Sequence, residues 1–142
     1  MDETIVDILD KPIVEALSAA TEATLQLVRY EKATGDEIVS DEFMLNQTDY
    51  LHVQRLFLDS ETYWFGFKRC AHLDVARIRF LPTGLIVLLD FRCSNATFVL
   101  DKDRFRAFFD HRREELVLLV NHYFPNETSL SCATVVKKEF LH

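Results

Sequence analysis

Histidine and carboxylate side chains that could carry chemistry fall at a suggestive spacing in the second half of this 142-residue chain. His111 and Glu115 are four residues apart, so on a helix both side chains would lie on one face, as two ligands of a metal ion do. His122 follows, but it would lie about 16 Å from His111 along the helix axis, which is too far to share one ion. We therefore predict no metal site and no cofactor.

The cysteines Cys70, Cys93 and Cys132 are odd in number and widely spaced. Cys70 and His72 form a close pair, whereas a structural zinc site needs four ligands, usually in two such pairs. A cysteine–histidine nucleophile pair is an open alternative, although three cysteines and five histidines supply such pairs by chance. The spacing favours reduced core thiols over a disulfide framework.

Asp90 is unusual because it interrupts the apolar run Leu85–Phe91. A carboxylate in a central strand is costly unless it is paired, and Arg77 or Arg79 on the preceding strand is a ready partner. The alternative is a catalytic carboxylate in a cup of the sheet. We prefer the ion pair.

The three glycines are too far apart for a dinucleotide fingerprint or a P-loop, and no serine lies in a nucleophile elbow, so we assign no catalytic residue.

The composition, with 49% apolar and 27% charged residues, is typical of a folded globular protein. No repeat, low-complexity tract or linker is visible, so residues 1–142 are predicted to form one domain. The longest aliphatic runs have five residues, far short of a membrane span. Because the acidic start Met1-Asp2-Glu3 is unlike a secretory signal, we expect a cytosolic protein without membrane partners.

Charge is divided unevenly along the chain. Residues 1–49 carry twelve acids and three bases, a net −9, whereas residues 55–113 carry eleven bases and seven acids, a net +4. The acidic third either faces a basic partner or lies over the basic middle of the protein, within one chain or across a dimer. The acids selected as partner-binding candidates are Asp36, Glu37, Asp41 and Glu42.

The first part of the chain predicts a helix from about Lys11, with Asp10 as its cap and Pro12 in its first turn. Thr24–Lys32 and Glu37–Met44 favour two strands joined by a turn at residues 33–36, although a continuation of the helix to Lys32 is the alternative. Tyr50–Leu58 fits a strand and a helix equally well, and we leave it open.

The middle of the chain predicts consecutive strands. Tyr63, Phe65 and Phe67 alternate with smaller or polar residues, as in a strand that is aromatic on one face. Ala76–Phe80, Leu85–Phe91 and Thr97–Leu100 continue the series, with a tight turn at residues 81–84.

The last part of the chain predicts a long amphipathic helix capped by Asp101 and ending at Phe124, followed by an edge strand at Ser129–Val136. The expected fold is therefore α+β. A single antiparallel meander of about four to six strands packs with an N-terminal helix and the long C-terminal helix.

A non-enzymatic protein–protein interaction module of the adaptor, chaperone or inhibitor type is the leading functional hypothesis, since no cluster of reactive groups is visible. Val117 and Leu118 widen the apolar stripe of the second helix, which predicts a homodimer contact there.

Two further hypotheses stay open. One is a small-molecule binder or small enzyme whose pocket is lined by Tyr63, Phe65, Phe67 and Phe80 and holds Asp90. The other is an acidic mimic of nucleic acid formed by residues 1–49. Nucleic acid itself is not an expected partner, because the net charge is −7.

Overall fold

The computed structural model describes residues 3–31, 33–70 and 73–125. These residues form four α-helices, two short 3-10 turns and seven strands. The helices are α1 (Glu3–Leu9), α2 (Lys11–Ala19), α3 (Gln47–Leu58) and α4 (Arg113–Tyr123), and the 3-10 turns are Ser60–Thr62 and Asp110–Arg112. The strands are β1 (Glu22–Tyr30), β2 (Glu37–Val39), β3 (Phe43–Met44), β4 (Ala76–Leu81), β5 (Ile86–Asp90), β6 (Asn95–Leu100) and β7 (Asp103–Phe108).

The seven strands form one antiparallel sheet in the order β2-β1-β4-β5-β6-β7, and β3 also pairs with β1. Strands β4 to β7 are consecutive neighbours joined by short turns, which is the predicted meander. The predicted α+β class is confirmed.

One face of the sheet packs against the helices and forms the core. A row of residues in register, Leu25, Ile78, Val87, Phe98 and Phe105, points to this face. The Phe57 ring of α3 lies 5.5 Å from the Phe98 ring and 6.3 Å from the Phe80 ring, in edge-to-face contacts. Burial of these rings fixes α3 across the middle strands.

Several local predictions are confirmed in the first half of the chain. The Asp10 carboxylate accepts a hydrogen bond from the Lys11 N–H at 3.0 Å, and α2 ends at Ala19. The chain then forms the predicted hairpin, since β1 pairs with β2 and Gly35 takes a φ of 73° in the turn. The ambiguous segment 50–58 is helical and belongs to α3, with Asn46 as its cap. Helix α1 was not predicted.

The strand predicted over Tyr63, Phe65 and Phe67 is wrong. Only Trp64 makes an isolated bridge, to Phe108, and the side chains of Phe65 and Phe67 are 69% and 82% exposed. An alternating pattern becomes a strand only where a neighbouring strand supplies hydrogen-bond partners. Here β7 offers a single residue.

The long C-terminal helix is also wrong in its first half. Residues Asp103–Phe108 form β7, and Asp101 takes a φ of 53° in the β6–β7 hairpin rather than capping a helix. Phe105, Phe108 and Phe109 have the spacing of a helix face, but pairing of residues 103–108 with β6 makes this segment a strand. Helix α4 ends at Tyr123, before Pro125. The predicted strand Ser129–Val136 lies outside the described residues.

The prediction of reduced cysteines is wrong for two of the three residues. Cys70 and Cys93 form a disulfide with their Cα atoms 6.1 Å apart. They are 23 positions apart in the sequence, and the fold brings them together. Cys132 and His72 lie outside the described residues.

Among the described helices, none is both long and apolar enough to cross a bilayer.

Candidate partner-binding groove at the sheet edge

Strand β2 forms an outer edge of the sheet. The Ser40 N–H donates to Leu27 O at 3.0 Å, and the Glu31 N–H donates to Asp36 O at 2.9 Å, so the backbone of residues 36, 38 and 40 faces β1. In an antiparallel pair, the groups of alternate residues point away from the partner strand. The backbone groups of Glu37 and Val39 therefore point outward, where another strand could pair with them.

Large apolar side chains lie exposed along the same edge. Ile38 and Val39 are 45% and 42% exposed, and Phe43 and Met44 of β3 are exposed to a similar extent. Tyr30, at the end of β1, is exposed as well. By the strand register, Ile38 and Phe43 lie on the helix side of the sheet, and Val39, Met44 and Tyr30 lie on the opposite side, so exposed apolar side chains border the edge on both faces.

A groove of about 460 Å³ lies beside this edge, where α4 ends. We call it the edge groove. It is lined by Leu27, Arg29, Ile38, Val39, Ser40, Asp41, Phe43, Tyr123, Phe124 and Pro125. The Phe43 ring meets the Phe124 ring edge-to-face at 5.2 Å, so β3 and the end of α4 form one wall.

Tyr123 fixes that wall to the start of α3. Its hydroxyl donates to Asp49 Oδ2 at 2.8 Å and accepts the Asn46 N–H at 2.9 Å. Burial raises the pKa of Tyr123, and the bond to Asp49 raises it further, so the phenol stays a donor. The groove is thus preformed by side chains from both halves of the chain.

The acids around the edge divide into two kinds. Glu37 pairs with Arg77, and Glu42 accepts the Thr24 hydroxyl at 2.6 Å and lies 3.8 Å from Arg79. The predicted contact of the acidic third with the basic middle is therefore present, within one chain.

Asp36 and Asp41 are the second kind. Both are exposed, and their carboxylates make no ion pair within the described residues. Of the four acids selected from the sequence, Asp41 lines the edge groove together with Arg29, and Asp36 lies in the turn before β2.

The two α4 candidates separate on folding. Val117 is packed in the core, whereas Leu118 is 62% exposed on the opposite side of the helix. Adjacent helical residues do not share a face, so the pair does not form one apolar strip.

The five predicted pocket residues are not gathered around one cavity. Tyr63 and Phe80 are buried in the core, where the Tyr63 hydroxyl donates to Phe57 O at 2.6 Å. Phe65 and Phe67 are exposed, and Phe67 borders a small cavity of about 240 Å³ next to the disulfide.

Asp90 is fully buried, but its predicted partners are wrong. Arg77 lies opposite Leu88 and Arg79 opposite Ile86, so neither faces Asp90 across the ladder. The Asp90 carboxylate instead accepts the Arg92 N–H at 2.9 Å, and its charge acts on the half-buried Arg113.

Arg113 belongs to α4 and donates to the Phe91 carbonyl. Burial lowers the pKa of its guanidinium, and the charges of Asp110 and Asp90 oppose that shift. The charge of Asp90 therefore acts at the start of α4.

A second cleft, of about 560 Å³, lies between α3 and α4. His52 Nε2 lies 2.6 Å from Glu115 Oε2, and Arg112 bonds both Glu115 and Asp59. An imidazole held by a carboxylate is suited to proton transfer, but here the carboxylate is shared with a guanidinium.

His52 was not among the predicted candidates, because its partner lies 63 residues away in sequence. His111, the predicted neighbour of Glu115, is exposed instead. In the described part of the chain, no group of three ligating side chains is suited to a metal.

The edge groove was not predicted either, although Asp41 in its lining was among the predicted partner-binding residues. The signal in the sequence was the run of apolar residues Ile38, Val39, Phe43 and Met44 around Asp41 and Glu42, in a segment too short to bury them.

No known protein family, curated protein or solved structure matches this chain.

Proposed function

We propose that this protein is a non-enzymatic interaction module that binds an extended segment of a partner protein at the β2 edge. The observation that carries the proposal is an outer strand with outward backbone groups and exposed Ile38 and Val39, next to the preformed edge groove. Strand addition of this kind draws affinity from backbone hydrogen bonds and specificity from side-chain pockets.

Chemical complementarity defines the partner segment. The groove offers apolar contacts to Phe43, Phe124 and Ile38, so alternate residues of the segment should be apolar. Asp41 in its lining should favour Lys or Arg at the position of the segment that faces it. A basic, apolar, extended segment meets both conditions.

Selection from a displayed library of random peptides on the full-length protein tests this proposal. Enriched peptides should alternate apolar residues with Lys or Arg. A Val39→Pro variant removes an outward N–H that β1 does not use, and it should weaken binding of those peptides about tenfold or more.

Glu15→Lys, an exposed change on α2, is the matched control and should bind like the parent protein. Peptides without the alternating pattern, or equal binding by the Val39→Pro variant, would contradict strand addition at β2.

The homodimer remains a proposal of lower rank. Leu118 is exposed on α4, and a second copy pairing through β2 is the other possible contact. Light scattering after size exclusion measures the mass at micromolar concentration. If the parent protein is a dimer and Leu118→Lys dissociates it, the dimer contact lies on α4. If only Val39→Pro dissociates the dimer, the contact lies on β2. If the parent protein is a monomer, the homodimer proposal is wrong.

We propose the cytosol as the compartment, on the grounds of sequence given above. The Cys70–Cys93 disulfide weighs against this, because such bonds persist mainly in oxidising compartments. Alkylation of the protein in intact cells, followed by mass spectrometry, decides the question. Reduced Cys70 and Cys93 would support the cytosol, and an oxidised pair would overturn it.

A further inference from the structure

The face of the sheet opposite the helices carries two rows of residues. Within each row, the residues are paired across neighbouring strands from β1 to β7. The first row is Gln26, Arg77, Leu88, Thr97 and Arg106, and the second is Thr24, Arg79, Ile86, Val99 and Arg104. In both rows, two arginines flank a pair of mostly aliphatic side chains. We call this surface the arginine face.

The second row contains one arginine without an ion pair among the described residues, Arg104, and one in a long ion pair with Glu42, Arg79. Arg104 is exposed and makes no ion pair among the described residues. Arg79 lies 3.8 Å from Glu42, beyond hydrogen-bond distance, and its side chain is 40% exposed. Both therefore keep N–H donors that a carboxylate could bind.

Between these two arginines lie Ile86 and Val99, both half-buried. Strands β4 and β7 are three strand spacings apart, so the two arginine positions are separated by about 14 Å across an aliphatic floor. Two cationic ends with an apolar centre between them are suited to a ligand that has carboxylates on either side of apolar side chains.

We propose that the arginine face is a second docking surface, which binds an acidic segment of a partner protein whose carboxylates reach Arg79 and Arg104 and whose apolar side chains pack on Ile86 and Val99. This goes beyond the edge groove, which attracts basic segments on a different part of the protein. The net charge of −7 opposes an acidic partner at long range, but salt at about 0.15 M screens exposed charges beyond about 8 Å.

Fluorescence anisotropy with three labelled peptides tests the proposal on the full-length protein at that salt concentration. The first peptide alternates Glu with Leu, the second replaces Glu by Lys, and the third replaces Leu by Ser. The three peptides are compared on the Val39→Pro variant, because the second peptide has the pattern that the edge groove is proposed to bind. There the first should bind about tenfold or more tightly than either of the others, because it alone offers both carboxylates and apolar contacts.

Arg104→Glu should weaken binding of the Glu-Leu peptide by about tenfold. The matched control is Arg55→Glu, which changes an exposed arginine on α3, on the helix side of the sheet, and should leave binding unchanged. Circular dichroism of both variants establishes that each is folded. Peptide binding to the edge groove would instead be weakened by Val39→Pro, so failure of one proposal is distinguishable from failure of the other.

Methyl NMR gives an independent readout on the parent protein. Addition of the Glu-Leu peptide should shift the methyl signals of Ile86, Leu88 and Val99, and leave Leu118 unchanged. Equal binding of all three peptides, equal effects of the two arginine variants, or tighter binding of a single-stranded oligonucleotide than of the Glu-Leu peptide would overturn the proposal.

Discussion

The imidazole of His52 and the carboxylate of Glu115 meet at 2.6 Å, joining α3 to α4 across 63 residues of sequence. Arg112 extends this contact to Asp59 at 3.1 Å, at the end of α3. The four side chains form a continuous series of polar contacts along the rim of the α3–α4 cleft.

Replacement of Glu115 should change stability in a pH-dependent way. The hydrogen bond from His52, and after it the one from Arg112, lowers the pKa of Glu115 in the folded protein. The ionised carboxylate therefore favours the fold above the pKa of about 4.3 of the unfolded chain, and this contribution is lost as the pH falls through the lower folded pKa.

Glu115→Gln should accordingly lower the free energy of unfolding by up to about 1 kcal/mol near neutral pH, since the pair is partly exposed. The difference from the parent protein should vanish in acid. Urea unfolding followed by Trp64 fluorescence measures the difference in unfolding free energy at neutral pH and in acid. Glu61→Gln is the control and should show no such trend; a constant difference at every pH would contradict the ion pair.

Tyr123→Phe should destabilise the protein by about 1–2 kcal/mol, because the Asn46 N–H loses its acceptor and Asp49 loses a donor. Thermal unfolding measures the effect. Tyr30→Phe is the matched control, since the Tyr30 hydroxyl makes no hydrogen bond among the described residues, and it should unfold at the temperature of the parent protein. Equal shifts in both variants would remove the anchoring role of Tyr123.

Phe57→Ala should cost about 3–5 kcal/mol, because it removes the ring that contacts Phe80 and Phe98 in the core. If this variant does not fold, Phe57→Leu should give a smaller loss of unfolding free energy that the same measurement detects. Phe67→Ala should have little effect, since that side chain is 82% exposed. Denaturant unfolding compares them, and a large loss in Phe67→Ala would return this residue to the core.

Reduction of the Cys70–Cys93 disulfide should lower the free energy of unfolding by about 2–4 kcal/mol. A Cys70→Ser/Cys93→Ser variant should have the lower stability already and should not respond to reductant. Under denaturing, non-reducing conditions, a thiol reagent should label one cysteine per chain, which leaves Cys132 as the reactive group. Three labelled thiols in protein purified without reductant would contradict the disulfide.

Predictions based on local patterns were accurate wherever backbone propensity and burial agree. Asp10 and Pro12 begin α2 as capping chemistry requires, and strict alternation at Ala76, Ile78 and Phe80 gives a strand with one buried face. Gly35 in the turn after β1 accounts for the hairpin. The sequence by itself therefore determined the α+β class and most of the meander.

Tertiary structure decided whatever depends on a partner distant in the chain. The alternation at Phe65 and Phe67 found no strand to pair with, whereas residues 103–108 found β6 and became β7 instead of a helix. The charge of Asp90 acts on Arg113 of α4, and neither predicted arginine on β4 lies opposite Asp90.

The two proposed surfaces show the same division. The acids and arginines are visible in the sequence, but the register of four strands sets Arg79 and Arg104 at the two ends of one row. Composition fixes how much charge a chain carries, and only the paired backbone fixes which charges share a face, because that depends on hydrogen bonds between segments that local propensity does not encode.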